Sequence, residues 1–367
     1  MKKSFGTIGF VVLLLMAAAG FMSWRRFAIV PLDPAGGELM IDVSPGANFF
    51  SIRQQLLAQG VDIDPFAMRA WIKIHGASKK LRIGEYRIQK DWSRMRILNE
   101  ILSGPPVLHK LIVKEGHNVW DVRAEFVRVW GEKGGKEFDN LINSEVLLKA
   151  MEVPSSLPHG SHYHLEGFLF PETYSYMKYD SPKSVIESML AQFKNRALPL
   201  LKSHPWGATP EGRYRLLTLA SVVEKESGHP EEQPLVASVF WNRLKKKMKL
   251  QSDPTTIYAL FPHFDGNLKK IHLITPTAYN TYTLSELPAG PICNPGETAI
   301  RAVLHPADSN FLYFVGRGDG AHAFSEDFRI HQNNVIKFQL KGINPSASQS
   351  RPPSKLGLPK LLPTDHK

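Results

Sequence analysis

The chain has 367 residues, 43% of them apolar and 22% charged, which is enough to bury two or three cores and too apolar for a disordered polymer. A formal net charge of +11 implies an acidic neighbourhood, whether nucleic acid, an anionic bilayer or a carboxylate-bearing polymer. Cys293 is the only cysteine, so an intramolecular disulfide and a Cys-built metal centre are excluded.

After Lys2 and Lys3 an uncharged run extends from Phe5 to Trp24 and closes at Arg25 and Arg26. Its length matches a membrane-spanning helix. A cleaved signal peptide is the competing reading, since Ala17, Ala18 and Ala19 offer small residues for cleavage, but the run exceeds the usual apolar region of such a peptide. Basic residues flank both ends, so charge alone does not orient it; a short N-terminal anchor by default leaves the body outside the cytoplasm. Residues 1–26 are thus expected to be a cytoplasmic stub and anchor. Residues 27–37, with Pro31, Pro34, Gly36 and Gly37, are expected to be a linker.

A first folded module is expected over 38–105. Glu38 to Val43 reads as a strand, Ser51 to Gln59 and Pro65 to His75 carry helical apolar spacing, Gly84 to Ile88 alternates like a strand, and Met95 to Leu102 reads as a helix. Gly104-Pro105-Pro106 ends it. A larger module over 106–342 opens with a strand to Val113 and a helix through Val119 to Val129. Phe311 to Val315 reads as a buried strand paired in a hairpin with Gly320 to Phe324, and residues 343–367 as a disordered tail. The expected class is α+β.

Arg213 to Ser227 places Leu216, Leu219, Ala220, Val223 and Ser227 on one helical stripe, with Glu224 and Glu226 at its end. Two residues apart is about 200° around a helix, so the two carboxylates leave opposite flanks and one of them at most enters a given cleft. A carboxyl beside an apolar face has its pKa raised by desolvation, as a general acid requires, although a Glu ending such a helix is more commonly solvated. A second helix follows from Glu231 to Met248. Asp253-Pro254-Thr255 then offers a cap for the next helix, while Asn242 and Gln251 are uncharged amides of the kind that recognise sugar hydroxyls. Tyr279 to Tyr282 and Leu287 to Gly296 must be loops, either groove walls or rigid connections. His159, His162 and His164 match no zinc spacing, so no metal is expected. Lys79-Lys80 and Lys245 to Lys247 are too short and too separated for a nucleic-acid groove.

LEGFLFPETY (165–174), ASVVEKES (220–227), VASVFWNRL (236–244), LQSDPTTIY (250–258), YNTY (279–282) and LPAGPICNPG (287–296), with the later LYFV and HAFS segments, resemble the endolytic murein transglycosylases of the YceG-like family. The likeness runs from about Glu38 to Gly342. The first module is similar in rhythm to the LysM-like subdomain found ahead of certain wall enzymes. The resemblance implies a lyase that cuts peptidoglycan glycan strands between N-acetylmuramic acid and N-acetylglucosamine, leaves a 1,6-anhydro end and needs no cofactor. It implies Glu226 as catalytic acid and base, Glu224 in support, and Gln251, Asp253, Asn280 and Tyr282 at the sugar. Membrane, glycan strand and wall synthases are the partners implied. A non-catalytic wall-binding scaffold and a water-adding muramidase are the rival readings.

Overall fold

The computed structural model describes residues 2–76, 81–155 and 165–340. His159, His162 and His164, Lys79-Lys80 and the tail expected at 343–367 lie outside them. In chain order the elements are α1 (Lys2–Ala28), β1 (Glu38–Val43), α2 (Phe49–Ala58), α3 (Pro65–His75), β2 (Gly84–Gln89), α4 (Arg94–Ser103), β3 (His109–Val113), α5 (Val119–Ile142), α6 (Glu145–Ala150), β4 (Glu172–Tyr176), α7 (Pro182–Gln192), α8 (Leu198–Ser203), α9 (Pro210–Glu226), α10 (Gln233–Lys245), α11 (Asp253–Leu260), α12 (Lys270–Ile274), α13 (Glu297–Leu304), β5 (Tyr313–Gly316), β6 (His322–Ser325) and α14 (Phe328–Val335). The fold mixes α and β, with the named strands confined to the pairs β1–β2, β3–β4 and β5–β6. The chain divides into two compact units, one of residues 1–110 with 175–181, the other of 111–174 with 182–367.

In the first unit β1 and β2 pair antiparallel from Glu38↔Gln89 to Val43↔Gly84. Their inward residues Ile41, Val43, Tyr86 and Ile88 meet Ile52 and Leu56 of α2, Trp71 of α3 and Ile97, Leu98 and Ile101 of α4. Local chemistry sets the helix starts. Asn48 accepts from the backbone of Phe50 and Ser51 while Ser51 Oγ accepts from Asn48 N, a capping box that begins α2 two residues before the apolar spacing alone suggests. Asp64 caps α3 ahead of Pro65. The stretch expected as a linker is packed instead: Phe27 and Ala28 are buried, Leu32 joins the core, and Leu32 N and Asp33 N donate to Trp92 O and Lys90 O at 3.0 and 2.8 Å. Residues 175–181 return to this unit, where Lys178 pairs with Asp42 and Glu85 at 3.0 and 2.9 Å and the Tyr179 hydroxyl donates to Asp42 at 2.7 Å. Sequence spacing does not reveal that clasp.

α1 is long and apolar enough over Phe10–Ala28 to cross a membrane.

The second unit is built around α9. The helix is buried on every side from Leu216 to Val223, including Thr218 and Ser221, where a one-sided stripe was expected. The two hydroxyls allow it by donating back to Tyr214 O and Thr218 O at 2.8 and 2.7 Å, so neither polar group is left unsatisfied in the core. Close approach also shapes its start: a Cβ on Gly212 would lie 1.7 Å from the Trp206 carbonyl oxygen, so only glycine lets the 205–208 turn fold onto the first turn of α9. β5 and β6 form the expected antiparallel hairpin, Tyr313↔Ser325 to Gly316↔His322. Their assignment to the core is corrected, since only Val315 and Ser325 are buried.

Candidate active site

Glu226 is the last residue of α9, followed by the buried Ser227, whose hydroxyl accepts from His229 N at 3.2 Å and turns the chain toward α10. Its side chain is half-buried. Burial pushes the carboxyl up to about 7; the nearby Ser252 hydroxyl and the Arg243 guanidinium hold it down, and the Asp253 carboxylate pushes it further up. The C-terminal end of a helix disfavours an anion in the same sense as burial does. A carboxyl that is accessible on one side and half protonated near neutrality can give a proton and take one back.

Three segments build the surroundings. α10 supplies Arg243, buried, with Nε donating to Leu312 O at 2.7 Å and Nη1 to Leu250 O at 2.6 Å. Its guanidinium also lies 5.4 Å from the Tyr313 ring centre. Backbone carbonyls therefore fix this cation without neutralising it, which leaves its field on Glu226. The turn into α11 supplies Ser252 and Asp253. The loop after α12 supplies Tyr282, whose hydroxyl donates to Asp253 Oδ1 at 2.6 Å. Burial, and then the charge of Asp253, raises the Tyr282 pKa, with Glu226 contributing, so the phenol stays protonated as a donor. Asp253 was expected to cap α11; it is instead the first residue of that helix, Ser252 holds the cap position without a side-chain cap bond, and the Asp253 carboxylate faces Tyr282.

The other candidates separate. Gln251 is exposed beside Ser252 at a φ of 52°, a left-handed backbone unusual for a residue with a Cβ, with its N–H donating to Thr281 O at 3.2 Å. Asn280 is wholly buried and its amide is spent. Nδ2 donates to His272 O, Leu273 O and Thr275 O at 3.0, 3.0 and 2.7 Å, and Oδ1 accepts from Thr256 Oγ1 and Tyr282 N at 3.1 and 2.9 Å. The expected sugar contact at Asn280 is corrected accordingly: it holds the loop that presents Tyr282. Asn242 is likewise structural, its amide donating to Ser309 O and Phe311 O at 2.7 and 3.1 Å.

Glu224 leaves the helix toward a different neighbourhood, as the angular spacing requires. Its carboxylate accepts from Gly296 N at 3.0 Å, and burial raises its pKa, with the Gly296 bond opposing and Glu115 adding to the rise. Residues 287–296 are buried throughout, which makes them a rigid strap rather than a groove wall. Ile292 N donates to Ser221 Oγ at 3.0 Å, and Asn294 accepts from Leu169 N and donates to His117 O, both at 2.9 Å.

Sequence reasoning passed over two residues. Arg243 stood in a quoted motif but looked like an ordinary basic residue near a helix end. Glu166 is almost completely buried, accepts from Val119 N and the Tyr258 hydroxyl at 3.0 Å each, and is pushed by burial up to about 8. Its signal was a lone acid inside the apolar run Leu165 to Phe170.

The profile of the YceG-like family matches residues 41–337. The chain is 29% identical over 316 residues to a protein of Bacillus subtilis named endolytic murein transglycosylase, covering 81% of this chain and 84% of that one. It is 28% identical to a Streptococcus pneumoniae protein of the same name, covering 93% of this chain and 66% of that one. A crystal structure of a YceG-like protein from Listeria monocytogenes superimposes with a TM-score of 0.53 at 25% identity, covering 81% of this chain and 99% of the other. The chain belongs to the YceG-like family.

Proposed function

We propose that this protein is an endolytic lytic transglycosylase, a lyase that cuts peptidoglycan strands between N-acetylmuramic acid and N-acetylglucosamine, with Glu226 as acid and then base. One observation carries the reading: a carboxyl at the end of a buried helix, largely desolvated but partly exposed, with a pKa near 7, next to a fixed cation, a carboxylate and a phenol, in a chain whose relatives carry that name. Protonated Glu226 donates to the glycosidic oxygen as the C1–O bond breaks through an oxocarbenium-like state. Asp253, held by Tyr282, supplies negative charge that favours both the protonated acid and the sugar cation. The muramoyl C6 hydroxyl closes on C1 and returns its proton to Glu226. No water enters, and the product is a 1,6-anhydro end that stops strand growth. Tyr282, whose phenol is coupled to the acid, and Gln251, the exposed neighbour of Ser252 in the chain, are the candidate sugar contacts, and Glu224 is the supporting carboxylate on the other flank of α9.

In this reading α1 is a single-pass anchor in the cytoplasmic membrane with the remaining chain outside. Residues 38–105 are a LysM-like subdomain, 106–342 the catalytic domain, and wall synthases the docking partners. Digestion of purified murein followed by mass analysis tests the chemistry. Anhydro ends are expected, and Glu226→Gln, which removes the titrating proton at constant volume, is expected to lower their yield at least a thousandfold with the fold intact. Reducing ends would reassign the protein as a hydrolase; absence of any product from the parent would make it a binder.

A further inference from the structure

α10 separates the cluster around Arg243 from a second concavity. Trp241 and Arg243 are two residues apart, about 200° around the helix, so Trp241 faces away from Glu226. A cavity of about 720 Å³ opens there, lined by His204, Trp206, Arg215, Trp241, Lys245 and Lys247 among others, a size typical of ligand sites. Trp241 Nε1 donates to Val303 O at 2.9 Å, which fixes the indole. Trp206 stands at 73° to it with centroids 4.8 Å apart, and is 39% exposed. His204 stacks on Trp241 at 6.1 Å; burial lowers its pKa and its Nδ1 accepts from Trp206 N at 3.1 Å, so it serves as a neutral ring. Arg215 lies 5.4 Å from the Trp206 ring centre, and the one carboxylate within ion-pair distance of it among the described residues, Glu286, is 3.9 Å away with both side chains largely solvated. Lys245 and Lys247 are exposed and enter no ion pair among the described residues. Lys247 also holds a φ of 55° just past the end of α10, where glycine is the usual residue.

Two crossed indoles with three cations against one carboxylate suit a ligand that combines apolar ring or chain faces with carboxylates. We infer that this groove is a second binding site for the substrate strand, taking a peptide-substituted stretch whose stem carboxylates meet Arg215, Lys245 and Lys247 while its apolar faces lie on Trp206 and Trp241. The inference rests on the function proposed above. Arg215 and Glu226 are eleven residues apart on α9, about 16 Å along its axis, so only an extended chain engages both sites. The groove thereby favours strands over short muropeptides. Its concavity argues against a bilayer as occupant, because apolar groups that enter lipid protrude from the surface.

The test uses the detergent-solubilised full chain. For peptide-bearing strands, the double variant K245E/K247E is expected to raise KM about tenfold at the parent kcat, and Trp206→Ala is expected to raise it severalfold on peptide-bearing and peptide-stripped strands alike. Lys246→Glu, which makes half that charge change at the lysine between them and outside the groove lining, is expected to shift KM less than twofold. Equal KM values for K245E/K247E and K246E overturn the inference, as does an effect seen only in anionic vesicles, which would make lipid the occupant. Strand binding measured in the Glu226→Gln background separates the two claims. Binding lost on groove substitution, with no anhydro product from the parent, keeps the groove and removes the lyase. Anhydro product with undiminished binding removes the groove.

Discussion

A carboxyl with a folded pKa near 7 has two consequences that one residue must show together. In the proposed role of acid, Glu226 would act only when protonated, so kcat/KM is expected to be level below about pH 6 and to fall toward tenfold per pH unit above about 7.5. A pH profile in which Glu226→Asp moves that limb checks the assignment. Stability moves in the same direction. The folded pKa lies above the unfolded one, so the protonated form stabilises the fold fully below about pH 4.5, and that contribution is lost as pH rises through 7. Glu226→Gln never ionises and is expected to exceed the parent by about 2–3 kcal/mol at pH 8 and by little at pH 4; denaturant unfolding at both values reads this. Gln251 and Asn280 should divide as their surroundings do. Gln251→Ala is expected to raise KM severalfold with an unchanged Tm, whereas Asn280→Ala strips partners from one buried and two part-buried carbonyls and is expected to cost about 2–4 kcal/mol.

At the scale of elements, α9 acts as the axis on which the site is hung. Its polar residues are satisfied inside the helix or by the 287–296 strap, which leaves its last turn as the place where a carboxyl reaches partial solvent. The strap and the 205–208 turn approach α9 so closely that side-chain volume is forbidden at the contacts. Gly212→Ala would push a methyl into the Trp206 carbonyl. The expected loss is about 3 kcal/mol or more, seen as a Tm lower by roughly 6–12 °C, and it should also disturb the Trp206 wall of the second groove.

For the molecule as a whole, the first unit does not begin where the apolar run ends. Phe27 and Ala28 are buried and Leu32 is tied to the β2–α4 turn. Removal of residues 2–24 is expected to abolish membrane association and keep the Tm of this unit, whereas removal of residues 2–37 should lower it by several degrees, because burying Phe27 and Leu32 contributes about 2–4 kcal/mol. Differential scanning of the two truncations decides between a packed segment and a free linker. The charge of +11 adds a salt dependence: KM for acidic strands should rise as ionic strength shortens the Debye length.

Much of the element plan follows from sequence, because apolar periodicity and turn residues act locally. β1, α3 and β2 start where alternation and helical spacing place them, and the 200° between Glu224 and Glu226 already demanded two different neighbourhoods. Family motifs singled out Glu226, and periodicity alone did not. Only the tertiary structure decided which polar residues are spent and which are free. Asn280, Asn242 and the 287–296 loop read in sequence like sugar-binding material, yet folded backbone carbonyls consume their donors, those of the 272–275 segment for Asn280 and carbonyls far along the chain for Asn242 and Asn294. Arg243 and Glu166 read as ordinary charges, and it is burial among distant segments that fixes the field of one and raises the pKa of the other. Desolvation and hydrogen-bond satisfaction are sums over everything packed around a group, so no window of sequence contains them.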